Sequence, residues 1–217
     1  MTSSVAIAVL AKAPIPGRVK TRLCPPCTPV QAAAVAGAAL EDTLAAVLSV
    51  PVARHVLVLD GHPAGWAGRG LDVLPQRGDG LDERLAAAFE DIGGPAVVVG
   101  MDTPQVTGRD LAAAIALLVD PTTGAVLGPA DDGGFWAIGL RDATDADLLG
   151  VPMSEPHTGA AQLDRLRSQG REVRLLPRRR DVDRWVDALA VAEAAPHTRF
   201  SVAVTAVARQ LGQRGAA

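Results

Sequence analysis

The sequence has no excess of basic residues, and we expect no apolar run long enough to cross a bilayer. Its 217 residues contain 21 Lys and Arg against 24 Asp and Glu, a net charge of −3 and a pI near 5.8. Proteins that coat nucleic acids usually carry a basic surplus, so a nucleic-acid partner is not expected. The start lacks the charged segment of a signal peptide. We expect a cytoplasmic protein that acts on small molecules away from membranes, and no feature specifies its oligomeric state.

Cysteine is scarce as well, and several familiar nucleotide-binding and catalytic motifs are absent. Cys24 and Cys27 form one CPPC pair with no second pair. A structural zinc site therefore lacks ligands, and two free loop thiols are expected. The patterns GxxxxGK[ST], GxGxxG and GxSxG do not occur. Any phosphate binding must use a different loop.

The sequence does contain Val-, Ile- and Leu-rich runs that alternate with alanine-rich segments of helical period. Several runs are apolar at nearly every position, as expected for strands with helices on both sheet faces. This alternation predicts one α/β domain over residues 1–217, with three α/β/α layers and a mainly parallel sheet. The predicted strands are 5–10, 55–60, 71–75, 96–100, 124–128, 134–140 and 171–177. The predicted helices are 29–48, 81–92, 107–119, 158–170, 182–195 and a C-terminal helix within 196–217.

Polar clusters follow four of the predicted strands. They cover residues 12–22, 101–104, 129–134 and 178–183. Ligands of open α/β sheets bind outside the carboxyl ends of the strands. We therefore expect the four clusters to converge on one edge of the sheet.

The first cluster, KAPIPGRVKTR, is a stiff basic loop. Two prolines fix its backbone, and Gly17 permits a turn or close approach to a ligand. Arg18, Lys20 and Arg22 occupy every second position, so an extended segment would point all three side chains to one side. There, together with Lys12, they are expected to bind phosphate oxygens. The alternative is a solvated loop or an ion-pair partner for carboxylates.

The acidic clusters offer ligands for a cation. Asp102, in GMDTP, is suited to Mg²⁺, which prefers one or two carboxylates plus substrate phosphate oxygens; the alternative is a helix cap. Asp183 is a second candidate metal ligand or the N-cap of the next helix.

The PADDGG turn and His157 have open roles. Asp131 and Asp132 contact a ribose, a base or a metal, and Gly133 and Gly134 permit close approach of a ligand. His157 stands before a helix that Thr158 is able to cap. Capping and packing are its expected roles, and a catalytic role is the alternative.

Five motifs resemble a bacterial family. AKAPIPGRVKTRL, GMDTP, GPADDGGFWAIGL, PHT and RDVD match the DUF2064 family, also called selenodomain-associated transferase 1, over about residues 5–190. The resemblance implies the glycosyltransferase-A fold of nucleotide-diphospho-sugar transferases. The sequence is more distantly similar to the molybdenum-cofactor and 2-phospholactate guanylyltransferases.

The resemblance also implies a nucleotide substrate, Mg²⁺ or Mn²⁺, and roles for particular residues. Gly17, Arg18, Lys20 and Arg22 match the phosphate-binding stretch, Asp102 the metal-binding Asp, and Asp183 the second metal-binding carboxylate. The loop lacks the GGxSxRMGxxK form of the molybdenum-cofactor enzymes, and residues 151–155 replace a Trp-Ser-Thr of the family. The base and the acceptor of those relatives therefore do not carry over.

Three functions are consistent with these features. The first is a nucleotidyltransferase in which Arg18, Lys20 and Asp102 are catalytic and an anionic acceptor needs no general base. The second is a glycosyltransferase that uses a nucleotide sugar, although its usual Asp-x-Asp is here a single Asp in DTP. The third is a nucleotide-binding module without catalysis.

Overall fold

The computed structural model describes residues 3–63, 65–66 and 68–215. In this part of the chain seven strands form one sheet. They are β1 (Ser3–Lys12), β2 (Val52–Asp60), β3 (Asp72–Pro75), β4 (Ala96–Gly100), β5 (Ala125–Pro129), β6 (Phe135–Leu140) and β7 (Val173–Leu175). The helices are α1 (Pro29–Leu48), α2 (Leu81–Ile92), α3 (Gly108–Val119), α4 (Asp145–Leu148), α5 (Thr158–Ser168), α6 (Trp185–Ala194) and α7 (Arg199–Gly215), with a 3-10 turn at Thr21–Leu23.

The sheet is parallel except for one strand. Its order is β3-β2-β1-β4-β6-β5-β7, and β6 runs antiparallel to both β4 and β5. The carboxyl ends of the six parallel strands consequently lie along one edge, as the sequence predicts. Strands β1 and β4 are neighbours, so the basic loop after β1 begins beside the loop that carries Asp102.

Helices cover both faces of the sheet, which explains why its strands are apolar throughout. Ile7 and Val9 of β1 belong to a core cluster shared with α1 and α3. Ala6 and Ala8 of the same strand belong to a second cluster shared with α2 and α5. Side chains alternate between the faces of a strand, so both sets must be apolar. The predicted three-layer α/β fold with a mainly parallel sheet is confirmed.

Helix α1 has the length and composition of a membrane span, with a mean hydropathy of 1.3 over its most apolar window. The expectation that no segment is long and apolar enough is therefore wrong by those criteria. Half of that window is buried inside the protein. Ala36 and Leu40 pack against the sheet, while Val35 and Ala39 pack against α6 and α7. Packing on two sides accounts for the apolar character of this helix.

The predicted helix cap is right for α3, and two other predicted caps are wrong. Thr107 caps α3, because its hydroxyl accepts from the Asp110 N–H at 3.3 Å. Thr158 is instead the first residue of α5, and its hydroxyl donates to the Pro152 carbonyl at 2.8 Å. Asp183 does not cap α6, which begins at Trp185 after an N-cap at Arg184. The alternative reading of Asp183 as a helix cap is therefore wrong.

Candidate active site

Lys20 connects three segments at the carboxyl edge of the sheet. Its ammonium lies 2.8 Å from Asp102 Oδ1, and the lysine side chain is only 10% exposed. The same ammonium donates to the carbonyl oxygen of Val182. The N–H of Val182 donates to the Asp102 carbonyl at 2.8 Å. The loop after β1, the loop after β4 and the segment after β7 therefore meet around one cation.

The local sequence explains how Lys20 is directed inward. Val19 and Leu23 are buried on either side of it, at 5% and 0% exposure. Lys20 has a left-handed backbone with φ of 49°, after which the chain turns at Thr21–Leu23. A left-handed conformation is unfavourable for a residue with a Cβ, and such residues cluster at functional sites. The predicted extended segment with three aligned basic side chains is therefore wrong.

Arg22 binds Asp183 at the surface. Its Nη1 donates to both carboxylate oxygens, at 3.2 and 3.1 Å, and the two side chains are 64% and 35% exposed. The structure therefore bears out the ion-pair alternative for two of the three basic side chains, Lys20 and Arg22. Exposed ion pairs contribute little to stability, on the order of 0–1 kcal/mol. Asp183, a predicted metal ligand, thus lies in a solvated ion pair.

Asp181 is the carboxylate that the sequence analysis did not select. Burial, and the nearby charge of Asp132, raise its pKa to about 6. Lys20 opposes this increase in pKa and Asp102 adds to it. The charges of two other carboxylates and of the Lys20 ammonium therefore act on Asp181. The first Asp of the DVD motif was the available sequence signal.

The PADDGG turn is tightly packed by this chain's own backbone. Asp132 Oδ1 accepts from the Gly134 N–H at 2.7 Å. Gly133 has φ of +93°, and a Cβ added there would lie 1.8 Å from the Pro156 carbonyl oxygen. The Gly159 N–H, at the start of α5, donates to the Gly133 carbonyl at 2.7 Å. The close approach that Gly133 permits is thus made by the loop before α5.

The remaining predicted residues lie at the rim of the site. Lys12 and Arg18 line a recess of about 180 Å³ together with Ile15 and Asp60. Gly17 forms an exposed turn between them in the chain, with φ of +80°. On the opposite side, Asp131 pairs loosely with Arg180 at 3.5 Å. The basic loop is therefore divided between three exposed side chains (Lys12, Arg18 and Arg22) and the inner Lys20.

His157 and the two cysteines do not take part in the central contacts described above. The His157 ring lies 3.2 Å from Glu155 and is 61% exposed; it occupies the N-cap position of α5 without a side-chain cap hydrogen bond. Cys24 and Cys27 are free thiols, as expected. Burial, with the nearby Cys24, raises the pKa of Cys27 to about 11, so this thiol is poorly reactive at neutral pH.

The donor set at this edge fits a hard divalent cation whose shell a substrate completes. Among the described residues, no three His, Cys, Asp or Glu side chains are arranged as a full metal site. The Asp102 side chain is 46% exposed, so its carboxylate is accessible to a ligand. Mg²⁺ typically takes one or two carboxylates and fills its shell with water and phosphate oxygens. A carboxylate beside basic residues that bind phosphate would provide this combination of ligands.

Comparisons with known proteins identify the family and the fold of this chain. A family model described as "Uncharacterized protein conserved in bacteria (DUF2064)" matches residues 38–155. The comparison with curated proteins found no significant match. A crystal structure from Desulfovibrio desulfuricans G20, assigned as a nucleotide-diphospho-sugar transferase, superimposes with a TM-score of 0.86 at 23% identity and covers 98% of both chains.

Two further solved structures share the fold with lower similarity. A CMP:2-keto-3-deoxy-manno-octonic acid synthetase bound to CTP has a TM-score of 0.55 at 15% identity, over 88% of this chain and 100% of that one. Rv0371c from Mycobacterium tuberculosis, in complex with manganese, has a TM-score of 0.54 at 23% identity, over 89% and 100%. At these identities the likeness shows the fold, which is of the glycosyltransferase-A type found in nucleotidyltransferases.

Proposed function

The chain belongs to the bacterial DUF2064 family, and we propose that it is a Mg²⁺-dependent nucleotidyltransferase that uses a nucleoside triphosphate and a small anionic acceptor. An oxygen of the acceptor phosphate or phosphonate attacks the α-phosphorus. The bond from that phosphorus to the bridging oxygen breaks, and pyrophosphate leaves with the electron pair. An acceptor that is already an anion requires no general base.

The observation that carries this proposal is the direct contact of Lys20 with Asp102 at the carboxyl edge of the sheet. Phosphoryl transfer needs positioning and charge neutralisation more than covalent help from the protein. A lysine that neutralises phosphate and a carboxylate that holds a cation must lie within a few ångströms of each other for that purpose. Here they are in contact.

The surrounding residues have complementary roles in this scheme. Asp102 holds the divalent cation, which when bound neutralises charge on the phosphate oxygens. Lys20 binds the triphosphate and stabilises the departing pyrophosphate as its charge develops. Arg18 and Lys12 line the neighbouring recess, and their charges orient the outer phosphates. We assign to Asp131 and Asp132, on the PADDGG turn, contact with the ribose, the base or the metal.

A binding panel tests the substrate class. The four common nucleoside triphosphates and a set of nucleotide sugars are each added with Mg²⁺ or Mn²⁺, and the unfolding temperature is measured. A ligand that binds only the folded state raises the apparent stability by mass action. We expect a nucleoside triphosphate with metal to give the largest increase. An increase with nucleotide sugars alone would replace this proposal by glycosyl transfer.

Turnover then separates the two reactions from each other and from binding alone. We expect pyrophosphate release when phosphate- or phosphonate-bearing acceptors are supplied, and its loss in Asp102→Asn. Asp164→Asn is the matched control, because this carboxylate is exposed on α5. Release of a nucleoside diphosphate from a nucleotide sugar contradicts nucleotidyl transfer. Tight triphosphate binding with neither product supports the non-catalytic module instead.

A further inference from the structure

We propose that Arg178 and Arg180 bind the phosphate or phosphonate group of the acceptor. This inference rests on the proposed function, because it assigns a site to the second substrate of that reaction. The two residues belong to the polar cluster that follows β7, at residues 178–183. The course of the backbone, the partners of the guanidinium groups and the position relative to Asp102 support the assignment.

The backbone after β7 continues alongside the chain that leaves β5. The Arg179 N–H donates to the Pro129 carbonyl at 3.1 Å, and Ala130 is paired with Arg179 as in a parallel sheet. Successive side chains of an extended segment point to opposite sides. Arg178 and Arg180 therefore lie on one side of this segment, and Arg179 lies on the other.

The side-chain contacts agree with this alternation. Arg179 forms an ion pair with the aspartate in the first turn of α3 at 2.6 Å. The other two arginines contact the PADDGG turn instead. The Arg178 guanidinium donates to the Ala130 carbonyl at 2.5 Å, and Arg180 Nε lies 3.5 Å from Asp131 Oδ2. Two guanidinium groups are consequently directed to the same part of the turn.

Both guanidinium groups retain the capacity to bind an anion. Arg178 is exposed, and among the described residues its guanidinium bonds a neutral carbonyl rather than a carboxylate. The contact of Arg180 with Asp131 is longer than an ordinary N–H···O hydrogen bond of about 2.7–3.2 Å, and the two side chains are 45% and 42% exposed. Such a pair contributes little to stability, so an anion can displace Asp131 at low cost. The planar fork of arginine matches the oxygens of a phosphate group.

The backbone of Arg180 lies beside the loop that carries the proposed cation ligand. The Gln105 side chain donates to the Arg180 carbonyl at 2.5 Å. The Val182 N–H donates to the Asp102 carbonyl at 2.8 Å. The chain thus makes contact with the Asp102 loop both at Arg180 and two residues later.

The order of the strands puts the two groups of basic residues on opposite sides of β4. Strand β1, which leads to Lys20, lies on one side of β4, and β6, β5 and β7 lie on the other. In transfer to or from phosphorus, the attacking and leaving oxygens are roughly in line. An acceptor held by Arg178 and Arg180 approaches from the side opposite to the departing pyrophosphate at Lys20. The assignment therefore gives the donor and the acceptor separate groups of basic residues.

Binding of methylphosphonate to the purified full chain tests the assignment without relying on turnover. Its affinity is measured by phosphorus nuclear magnetic resonance, first for the nucleotide-free chain. The titration is repeated with Mg²⁺ and each of the common nucleoside triphosphates in its non-hydrolysable α,β-methylene form, which occupies the donor site. Arg178→Gln, Arg180→Gln and the double variant are compared with the parent. Circular dichroism of each variant establishes that it is folded.

Arg174→Gln is the matched control. Arg174 lies on β7, a few residues before the proposed site, and is 48% exposed, with Glu172 3.9 Å away. The control variant loses the same charge from the same segment of the chain. It therefore separates an effect of net charge from an effect of the site.

We expect Arg178→Gln and Arg180→Gln each to weaken methylphosphonate binding about five- to tenfold, and Arg174→Gln to change it less than about twofold. Affinity for triphosphate with Mg²⁺ should stay within about twofold of the parent in all three variants. Parent-like methylphosphonate binding in the double variant would overturn the assignment. An equal loss in Arg174→Gln would overturn it too, as would an equal loss of triphosphate affinity in Arg180→Gln or the absence of saturable methylphosphonate binding under every condition.

Failure of the proposed function has a different signature. Methylphosphonate binding would then depend on Arg178 and Arg180, while no pyrophosphate is released with any acceptor. Conversely, pyrophosphate release by the double variant with the parent's KM for the acceptor would refute the acceptor site and leave the proposed function standing.

Discussion

Replacing Lys20 with methionine should strengthen the binding of free Mn²⁺ to the nucleotide-free protein. The ammonium lies 2.8 Å from Asp102 Oδ1 and also bonds the Val182 carbonyl. A cation that binds Asp102 must displace this ammonium or bind next to its positive charge. Methionine retains most of the side chain's length and apolar stem but has no charge. In the proposed function, Lys20 would be an internal counter-ion that leaves Asp102 when a polyphosphate attracts it.

The structure sets the size of the expected effect. A hydrogen bond between charged groups contributes about 1.5–3 kcal/mol when it is well shielded from water. Asp102 is 46% exposed, so solvent screening reduces that contribution to about 1–1.5 kcal/mol. Since 1.4 kcal/mol corresponds to a factor of ten in affinity, the Kd for Mn²⁺ should fall about five- to tenfold. Affinity for a nucleoside triphosphate with Mg²⁺ should fall in the same variant, because its phosphates lose the ammonium.

Mn²⁺ titration followed by electron paramagnetic resonance measures the first effect, and thermal shift with triphosphate measures the second. Arg18→Met is the matched control, since it removes the same charge from the same loop but at the outer recess. It should leave the Kd for free Mn²⁺ within about twofold of the parent. Unchanged or weaker Mn²⁺ binding in Lys20→Met would refute the counter-ion role. Equal strengthening in both variants would show that only overall charge matters.

The secondary structure of this chain could be predicted largely because its local signals are strong. Helices Pro29–Leu48 and Leu81–Ile92 match the predicted bounds, since Thr28 with Pro29 and then Gly93 mark a start and an end. The central strands are apolar at successive positions because both sheet faces are covered. By contrast, the strand predicted at 171–177 is reduced to Val173–Leu175. It lies at the sheet edge, where only β5 pairs with it among the described strands.

The location of the site was also predictable, but its internal pairing was not. The rule for open α/β sheets brings Lys20 and Asp102 to one edge. The approach of the DVD motif to Asp102 depends on the hydrogen bond from the Val182 N–H to the Asp102 carbonyl, a contact between residues 80 positions apart. A three-residue pattern has no information about such a contact. The inward direction of Lys20 likewise depends on the burial of its neighbours.

The PADDGG turn shows the same limit of local reasoning for a different kind of residue. The sequence correctly indicates that Gly133 allows another group to approach the backbone closely. It does not indicate which group approaches. In the structure, the Pro156 carbonyl takes that position, because the loop before α5 folds back over the turn. A glycine in a candidate binding loop is therefore evidence of close packing first, and of a ligand only when space remains beside it.

Three further substitutions should change stability in directions that the contacts define. Asp147→Asn should lose about 3 kcal/mol in urea unfolding at pH 7, because buried Asp147 accepts from Arg171 at 2.5 and 2.7 Å. Burial opposes ionisation of Asp147, but the hydrogen bonds from Arg171 and from the hydroxyl and N–H of Thr144 hold its pKa below the usual range. The stabilising effect of Asp147 should therefore be lost as the pH falls below about 4. A loss of stability in Asp147→Asn that is as large at pH 3 as at pH 7 would contradict this. Gly133→Ala should cost about 3 kcal/mol, because φ is positive and Pro156 leaves no room for a Cβ; near-parent unfolding would show that the loop yields. Asp181→Asn should stabilise the protein in EDTA at pH 7.5 by about 1 kcal/mol after allowance for solvent screening. Burial, and the nearby charge of Asp132, raise the pKa of Asp181 to about 6, above the unfolded value of about 3.9. Between these two pH values the folded state binds more protons than the unfolded state, so the free energy of unfolding falls as the pH rises through them. The variant and the parent should therefore have the same free energy of unfolding at pH 4. A variant less stable than the parent at pH 7.5 would show that the Asp181 carboxylate stabilises the folded protein. A gain in stability is expected when a charge is retained for binding a ligand.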